Sequence, residues 1–92
     1  MATVKIRGTI KRIFEAEIRG NFEKRVFWLE TQDQYPQTLQ LEAHQNNTNL
    51  LDNYPEGCNV DVTVDIRGNV FKNKEGKEVC YNTLKMYKIE LV

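Results

Sequence analysis

Alternation of apolar and polar residues is the main pattern in this sequence, and it predicts β-strands. Val4, Gly8 and Ile10 fall on one side of a period-two pattern that is typical of a strand with one buried face. After Ile10 the apolar positions shift to Ile13 and Phe14, which breaks the alternation and predicts a bulge that lets the strand curl. Strand one is therefore predicted to reach about Phe14, with Gly8 contributing to the bend.

Four further strands follow from the same pattern. They are predicted at residues 25–31, 39–43, 60–67 and about 79–91. Turn residues separate strands two and three, which should form a hairpin, and residues 68–78 are predicted to form the long hairpin loop between the last two strands. In strand two, Phe27 and Leu29 share one face, so Trp28 is predicted on the opposite, outward face.

The order of these elements predicts an all-β fold. Between residues 44 and 57 the alternation stops around Leu50, Leu51 and Tyr54, which favours one or two helical turns that plug an end of a barrel. Five strands, the first long and bent, with a short helix between strands three and four, match a five-stranded Greek-key barrel of the OB type. A small SH3-like barrel and an unclosed meander are the alternatives. The length favours a single domain over residues 1–92.

The formal net charge is zero, but the charges are strongly segregated along the chain. Residues 1–29 carry a net charge of +4, residues 30–65 contain seven acidic residues and no Lys or Arg, and residues 66–92 carry +3. A neutral total therefore leaves room for a basic face.

Composition argues against several classes of protein. The chain has no serine and only one histidine, His44, and Cys58 and Cys80 have neither the spacing of a metal site nor an activating context. We therefore expect reduced thiols, no metal or other cofactor, and no enzymatic activity. The sequence has no run of apolar residues long enough for a signal peptide or a membrane span, so we expect a soluble, cytoplasmic protein that does not associate with membranes.

The candidate chemistry lies on the surface that ligands cross in an OB barrel, between the loop joining strands one and two and the loop joining strands four and five. Basic residues there would bind phosphates, and outward aromatic rings would stack on bases. The predicted binding residues are Arg19, Phe22, Lys24, Arg25, Trp28, Arg67, Phe71, Lys72, Lys74, Lys77, Lys85 and Tyr87. The outward carboxylates of Glu30 and Glu42 are expected to weaken a path straight across strands two and three.

Three stretches resemble a known family. GNFEKRVFWLETQDQYP, YPEGCNVDVTVDIRG and YNTLKMYKIE are similar to short single-domain OB proteins of unknown function from gut bacteria and their phages, which are described as single-stranded-DNA-binding-like. The similarity covers about residues 4–90, and LETQ-x-QYP is its most specific part. The resemblance implies aromatic binding residues at Phe22 and Tyr87 and a bacterial or phage-infected cell. Bacterial single-strand-binding proteins usually continue from the OB core into an acidic tail, whereas strand five is predicted to reach about Leu91, so we expect no recruitment of partners by such a tail.

These observations predict sequence-tolerant binding of single-stranded nucleic acid by a homo-oligomer, with single-stranded DNA as the favoured ligand. The alternative is a protein-interaction or oligomerisation module in which Trp28 and the acidic middle segment face a partner or another subunit.

Overall fold

A computed structural model describes residues 2–92 of the chain. The strands are β1 (Thr3–Ile13), β2 (Glu17–Arg19), β3 (Phe22–Thr31), β4 (Thr38–His44), β5 (Asn59–Lys72) and β6 (Glu78–Leu91), and a 3₁₀ helix (Gln45–Asn53) follows β4. Within residues 2–92 no helix has the length and apolar character needed to cross a membrane.

The sheet closes into a barrel of five strands. Its order is β1-β5-β6-β4-β3, and a further pairing between β1 and β3 closes the ring. Neighbouring strands are antiparallel except β4 and β6, which run parallel where Glu42 meets Lys85. This arrangement, with a helix between the third and fourth barrel strands, is the OB Greek-key topology, so the predicted fold is confirmed. Strand β2 pairs only with β3 and forms a small hairpin at the barrel's edge.

Alternate residues of each barrel strand form the core. Phe27 and Leu29 of β3 are buried, and the residues between them face outward. The apolar positions of β4, β5 and β6 follow the same rule, and the 3₁₀ helix closes one end of the barrel with Leu51. The fully buried apolar side chains are Ile10, Phe27, Leu29, Leu41, Ala43, Val60, Val62, Val64 and Met86.

Two β-bulges, one in β1 and one in β6, change which side chains of these strands face outward. The pairing of β1 with β3 shifts between Ile10 and Arg12, which confirms the bulge predicted after Ile10. A second shift, in the pairing of β5 with β6, leaves Tyr87 as the extra residue of β6. Its neighbour Met86 stays in the core, whereas Tyr87 is exposed.

The β5–β6 hairpin is longer and more regular than the sequence indicated. The loop predicted at 68–78 is wrong, because β5 and β6 stay paired as far as Lys72 and Glu78 and leave only residues 73–77 as a turn. The Asn73 carboxamide oxygen accepts hydrogen bonds from the backbone N–H groups of Glu75 and Lys77, at 2.9 and 3.1 Å, and so stabilises this tight turn. Phe71 and Lys72 therefore lie on a strand.

Gly8 lies where β1 crosses closest to β3. A Cβ atom at this position would lie 2.5 Å from the backbone oxygen of Glu30 and 2.8 Å from Cγ of Leu29. The sequence suggested that Gly8 helps the strand to bend, and the structure gives it a more specific role, the close approach of two backbones.

We expect Gly8→Ala to lower the free energy of unfolding by about 1–3 kcal/mol, because the added methyl group overlaps backbone atoms that cannot move independently. Urea unfolding followed by circular dichroism measures the change. Gly68→Ala is the control, since its Cβ would lie 3.2 Å from the side-chain oxygen of Asn82 and 3.9 Å from the backbone oxygen of Tyr81, with no atom closer than 3.0 Å. Equal effects of the two substitutions would contradict the role given to Gly8.

Candidate nucleic-acid interface

The outward side chains of β3, β4, β6 and β5 form one continuous face, which we call the outer face. Its middle row consists of Val26, Glu42, Lys85 and Asp65, each paired with the next across the strands. In the next outward row, on the side nearer the tip of the β5–β6 hairpin, Trp28 pairs with Gln40 and Arg67 pairs with Thr83. Because β4 and β6 are parallel at this point, these two pairs lie at the same level of the barrel. The outer face thus runs from the β2–β3 hairpin to the tip of the β5–β6 hairpin.

Trp28 stands at the centre of an aromatic cluster on this face. Its ring packs edge to face against Phe14, with 5.1 Å between ring centroids, and its Nε1–H donates to Oε1 of Gln40 at 3.2 Å. The guanidinium of Arg12 lies 4.9 Å from the centroid of Phe14 and 5.8 Å from that of Trp28. Such cation–π contacts hold the positive charge beside the rings. Trp28 is partly buried and faces outward, as its position in the strand predicts.

A shallow depression adjoins this cluster. It has a volume of about 230 Å³ and is lined by Phe14, Glu15, Glu17, Val26 and Gln40. The two carboxylates at its rim would repel a phosphate, whereas its apolar lining suits the flat surface of a base. The depression therefore suits a flat apolar group better than an anion.

Phe22 forms a second cluster where β2 meets β3. Its ring packs edge to face against His44, with 5.0 Å between centroids, and it lies opposite Arg19 in the hairpin. Lys24 lies on the same face, but its Nζ is 3.7 Å from Oε2 of Glu17. The structure thus brings Arg19, Phe22 and Lys24 together around a depression of about 160 Å³.

Phe71 and Tyr81 form a third cluster on the β5–β6 hairpin. Their rings are stacked, with an interplanar angle of 5° and centroids 5.2 Å apart, and both remain substantially exposed, by 44% and 60%. Arg67 lies on the same side of the hairpin and donates from Nε to Asp65 at 2.8 Å. Beyond Phe71, the tip carries Lys72, Lys74 and Lys77.

Lys85 and Tyr87 lie on β6 between the clusters. Lys85 belongs to the middle row of the outer face. Tyr87 projects outward because of its bulge. Parallel pairing of β4 with β6 puts Tyr87 at about the level of His44, next to the Phe22 cluster.

Arg25 is part of the fold's internal contacts. Its Nε donates to the backbone oxygen of Phe14 at 2.8 Å, and its Nη1 lies 2.8 Å from Oδ1 of Asp52 in the 3₁₀ helix. Arg25 has the same position in the alternation as Phe27, so it points to the inner side of β3, and that signal was already present in the sequence. The guanidinium ties the 3₁₀ helix to the end of the first barrel strand.

Four of the seven acidic residues of segment 30–65 pair with a Lys or Arg side chain. Glu30 lies 3.7 Å from Lys11. Glu42 instead shares a hydrogen bond of 2.8 Å with Nε2 of His44. Asp52 and Asp65 pair with Arg25 and Arg67, as described above. The cations left without an ion pair among residues 2–92 are Lys5, Arg12, Arg19, Lys72, Lys74, Lys77 and Lys85. All but Lys5 lie on the outer face or on the hairpin tips that bound it.

On the outward side of β1 and β5 every charge except that of Lys5 is matched by a partner. Arg7 donates to both carboxylate oxygens of Asp61, at 2.9 and 3.1 Å. The hydrogen bond from the Arg7 guanidinium holds the pKa of the Asp61 carboxyl below its ordinary value. Lys88 likewise lies 2.7 Å from Glu90. This side offers little net attraction for a polyanion.

Comparison with known proteins places the chain in a family. Residues 5–90 match the model of a family described as a domain of unknown function, DUF3127. The chain belongs to this family. A search of curated proteins finds none with significant sequence similarity to the chain.

Solved structures share the DUF3127 chain's fold. The mitochondrial single-stranded DNA binding protein Rim1 from S. cerevisiae superimposes with a TM-score of 0.78 and 18% identity, over 99% of this chain and 95% of Rim1. The small single-stranded DNA-binding protein from Streptomyces coelicolor gives a TM-score of 0.71 and 13% identity, over 99% and 94% of the two chains. Likeness at this level of identity supports the OB fold.

Several residues of the outer face were missed by sequence reasoning. Arg12 and Phe14 reach Trp28 because the β1 bulge turns this segment outward, and Tyr81 joins Phe71 because the hairpin is paired almost to its tip. Continuing the strand alternation past Gly68 would have put Phe71 and Tyr81 on the same side. His44 was considered only for metal binding and catalysis, whereas it packs against Phe22.

Proposed function

We propose that this chain binds single-stranded DNA along the outer face, with little dependence on base sequence. The unpaired cations Arg19, Lys85, Lys72, Lys74 and Lys77 hold phosphates, and Phe22, Trp28, Phe71 and Tyr87 offer surfaces on which bases stack. In this proposal Arg25 stabilises the fold and does not bind phosphate. Lys24 and Arg67 contribute to phosphate binding while they remain in their ion pairs. The chain acts as a single OB module over residues 1–92.

The observation that carries the proposal is the coincidence of unpaired positive charge and exposed aromatic rings on one face. Phosphate binding releases counterions and needs net positive charge, whereas stacking needs accessible rings. The side of β1 and β5 has no cluster of unpaired cations, because only Lys5 lacks an ion pair there and the other charges are matched. Its outward residues are polar, so it offers no aromatic ring for stacking. The names of the two structural neighbours, both single-stranded-DNA-binding proteins, agree with the proposal and favour a binding module over an enzyme.

The single tryptophan makes a direct test possible. We expect oligo-dT of about 15 nucleotides, near the upper end of the site size of one OB fold, to quench Trp28 fluorescence on binding. Affinity should fall steeply with salt because bound phosphates release counterions. Lys85→Gln should reduce the slope of log K against log salt by about 0.7, the value for one phosphate contact on a single strand.

Lys5→Gln is the matched control for this titration, because Lys5 is also without an ion pair but lies on the side of β1 and β5. It should leave both affinity and slope nearly unchanged. Absence of binding at low salt, or equal effects of the two substitutions, would contradict the proposal.

We also propose that copies of the chain associate. Ile66 and Val70 lie on the side of β5 that faces the core in the first part of the strand. This later part of β5 extends past the barrel, so both side chains are exposed, as is Val4 of β1. Exposed apolar side chains on one side of a hairpin are typical of an interaction surface. The same observation favours the alternative function, an oligomerisation or protein-interaction module without a nucleic-acid ligand, and the oligo-dT titration separates the two.

We expect light scattering to give a mass that is a multiple of the 10.8 kDa chain. Val70→Lys should lower this mass, because a charge would have to be buried in the interface. Asn49→Lys, an exposed change in the 3₁₀ helix, should leave it unchanged. A monomer mass for the unmodified protein would refute the association.

A further inference from the structure

The outer side of the β5–β6 hairpin contains the largest of the three depressions described for this protein. It has a volume of about 450 Å³ and is lined by Arg67, Gly68, Asn69, Phe71, Tyr81 and Thr83. We call it the hairpin slot. Its lining combines two aromatic rings, a cation and two neutral polar side chains, a combination that suits a nucleobase better than a phosphate.

Tyr81 forms one wall of the hairpin slot. Phe71 lies nearer the hairpin tip and stacks on one face of the Tyr81 ring. The other face of Tyr81 therefore looks along the hairpin toward Arg67 and Thr83, which are paired with each other at the next outward level. A planar group stacked on this free face would extend an existing pair of parallel rings.

Arg67 forms the opposite wall. Its Nε donates to Asp65, which is only 4% exposed, so the guanidinium is anchored at one end while its terminal nitrogens remain accessible. Residues two apart on a strand lie about 6.8 Å apart, which is close to two van der Waals contacts of about 3.5 Å each. This spacing of the backbone levels, together with an Arg67 side chain drawn toward Asp65, leaves space for one flat ring beside Tyr81.

Asn69 and Thr83 supply polar groups at the edge of the slot. Neither side chain takes part in any hydrogen bond described for residues 2–92, although both lie beside the depression. An asparagine carboxamide offers a donor and an acceptor side by side, and this pair matches the N6 amino group and N7 of adenine. Adenine also has a larger surface for stacking than thymine or cytosine.

We propose that the hairpin slot holds one base of the bound strand and prefers adenine, which stacks on Tyr81 and is hydrogen-bonded by Asn69. This inference rests on the proposed function and adds to it one position of base preference in an otherwise sequence-tolerant path.

The test compares two oligonucleotides of equal length, oligo-dT and an oligo-dT in which every third residue is deoxyadenosine, each titrated against the full chain. We expect the adenine-containing strand to bind about 5-fold more tightly, because a bidentate contact to a base discriminates by about this factor or more. Asn69→Ala should bring the ratio of the two affinities close to one and leave the affinity for oligo-dT within about 2-fold. Tyr81→Ala should weaken both strands by about 10-fold, since it removes a stacking surface.

Tyr35→Ala is the control for Tyr81→Ala, because Tyr35 is 73% exposed and lies in the turn between β3 and β4. It should change neither affinity. The side-chain amide resonances of Asn69 provide a second readout and should shift on addition of the adenine-containing strand and much less with oligo-dT. Equal affinities of the two strands, unchanged by Asn69→Ala, would overturn the inference but leave the proposed function intact. Failure of both strands to bind would overturn the proposed function as well.

Discussion

The parallel pairing of Glu42 with Lys85 is the junction on which the rest of this structure depends. It joins two antiparallel units, β3–β4 and β5–β6, that the chain builds separately. Without it the barrel would be an open sheet in which only β1 connects the two units, and the cluster around Trp28 would no longer share a continuous face with the cluster on the β5–β6 hairpin. The junction places the two aromatic clusters at opposite ends of one continuous face, and the unpaired ammonium of Lys85 lies between them.

Local ion pairing decides the electrostatics of the molecule more than its net charge does. Carboxylates of the acidic middle segment pair with Arg7, Lys11, Arg25 and Arg67 from the flanking basic segments. Exposed pairs of this kind contribute little to stability. They nevertheless decide where positive charge remains free, and the outer face of a chain with zero formal net charge is thereby left with cations able to attract a polyanion.

Sequence patterns predicted the barrel because inward residues are selected by a strict period of two. Phe27, Leu29 and the valines in the first half of β5 could be assigned to the core on that basis, and the bulge after Ile10 was visible as a break in the period. Contacts made across distant strands were not predictable in this way. Arg25 was assigned to binding although its position in β3 points inward to Asp52. The stacking of Tyr81 on Phe71 was missed because a lysine-rich, glycine-containing turn made residues 68–78 look like a loop.

The central claim is that a single strand follows the outer face across the Glu42–Lys85 junction. Backbone amide shifts of the full chain, recorded during titration with oligo-dT, test it most directly. The account predicts that the largest changes include Trp28, Lys85 and Tyr81, with residues such as Lys5 and Arg7 nearly unaffected. Changes concentrated on the side of β1 and β5, or confined to one of the two antiparallel units, would contradict it.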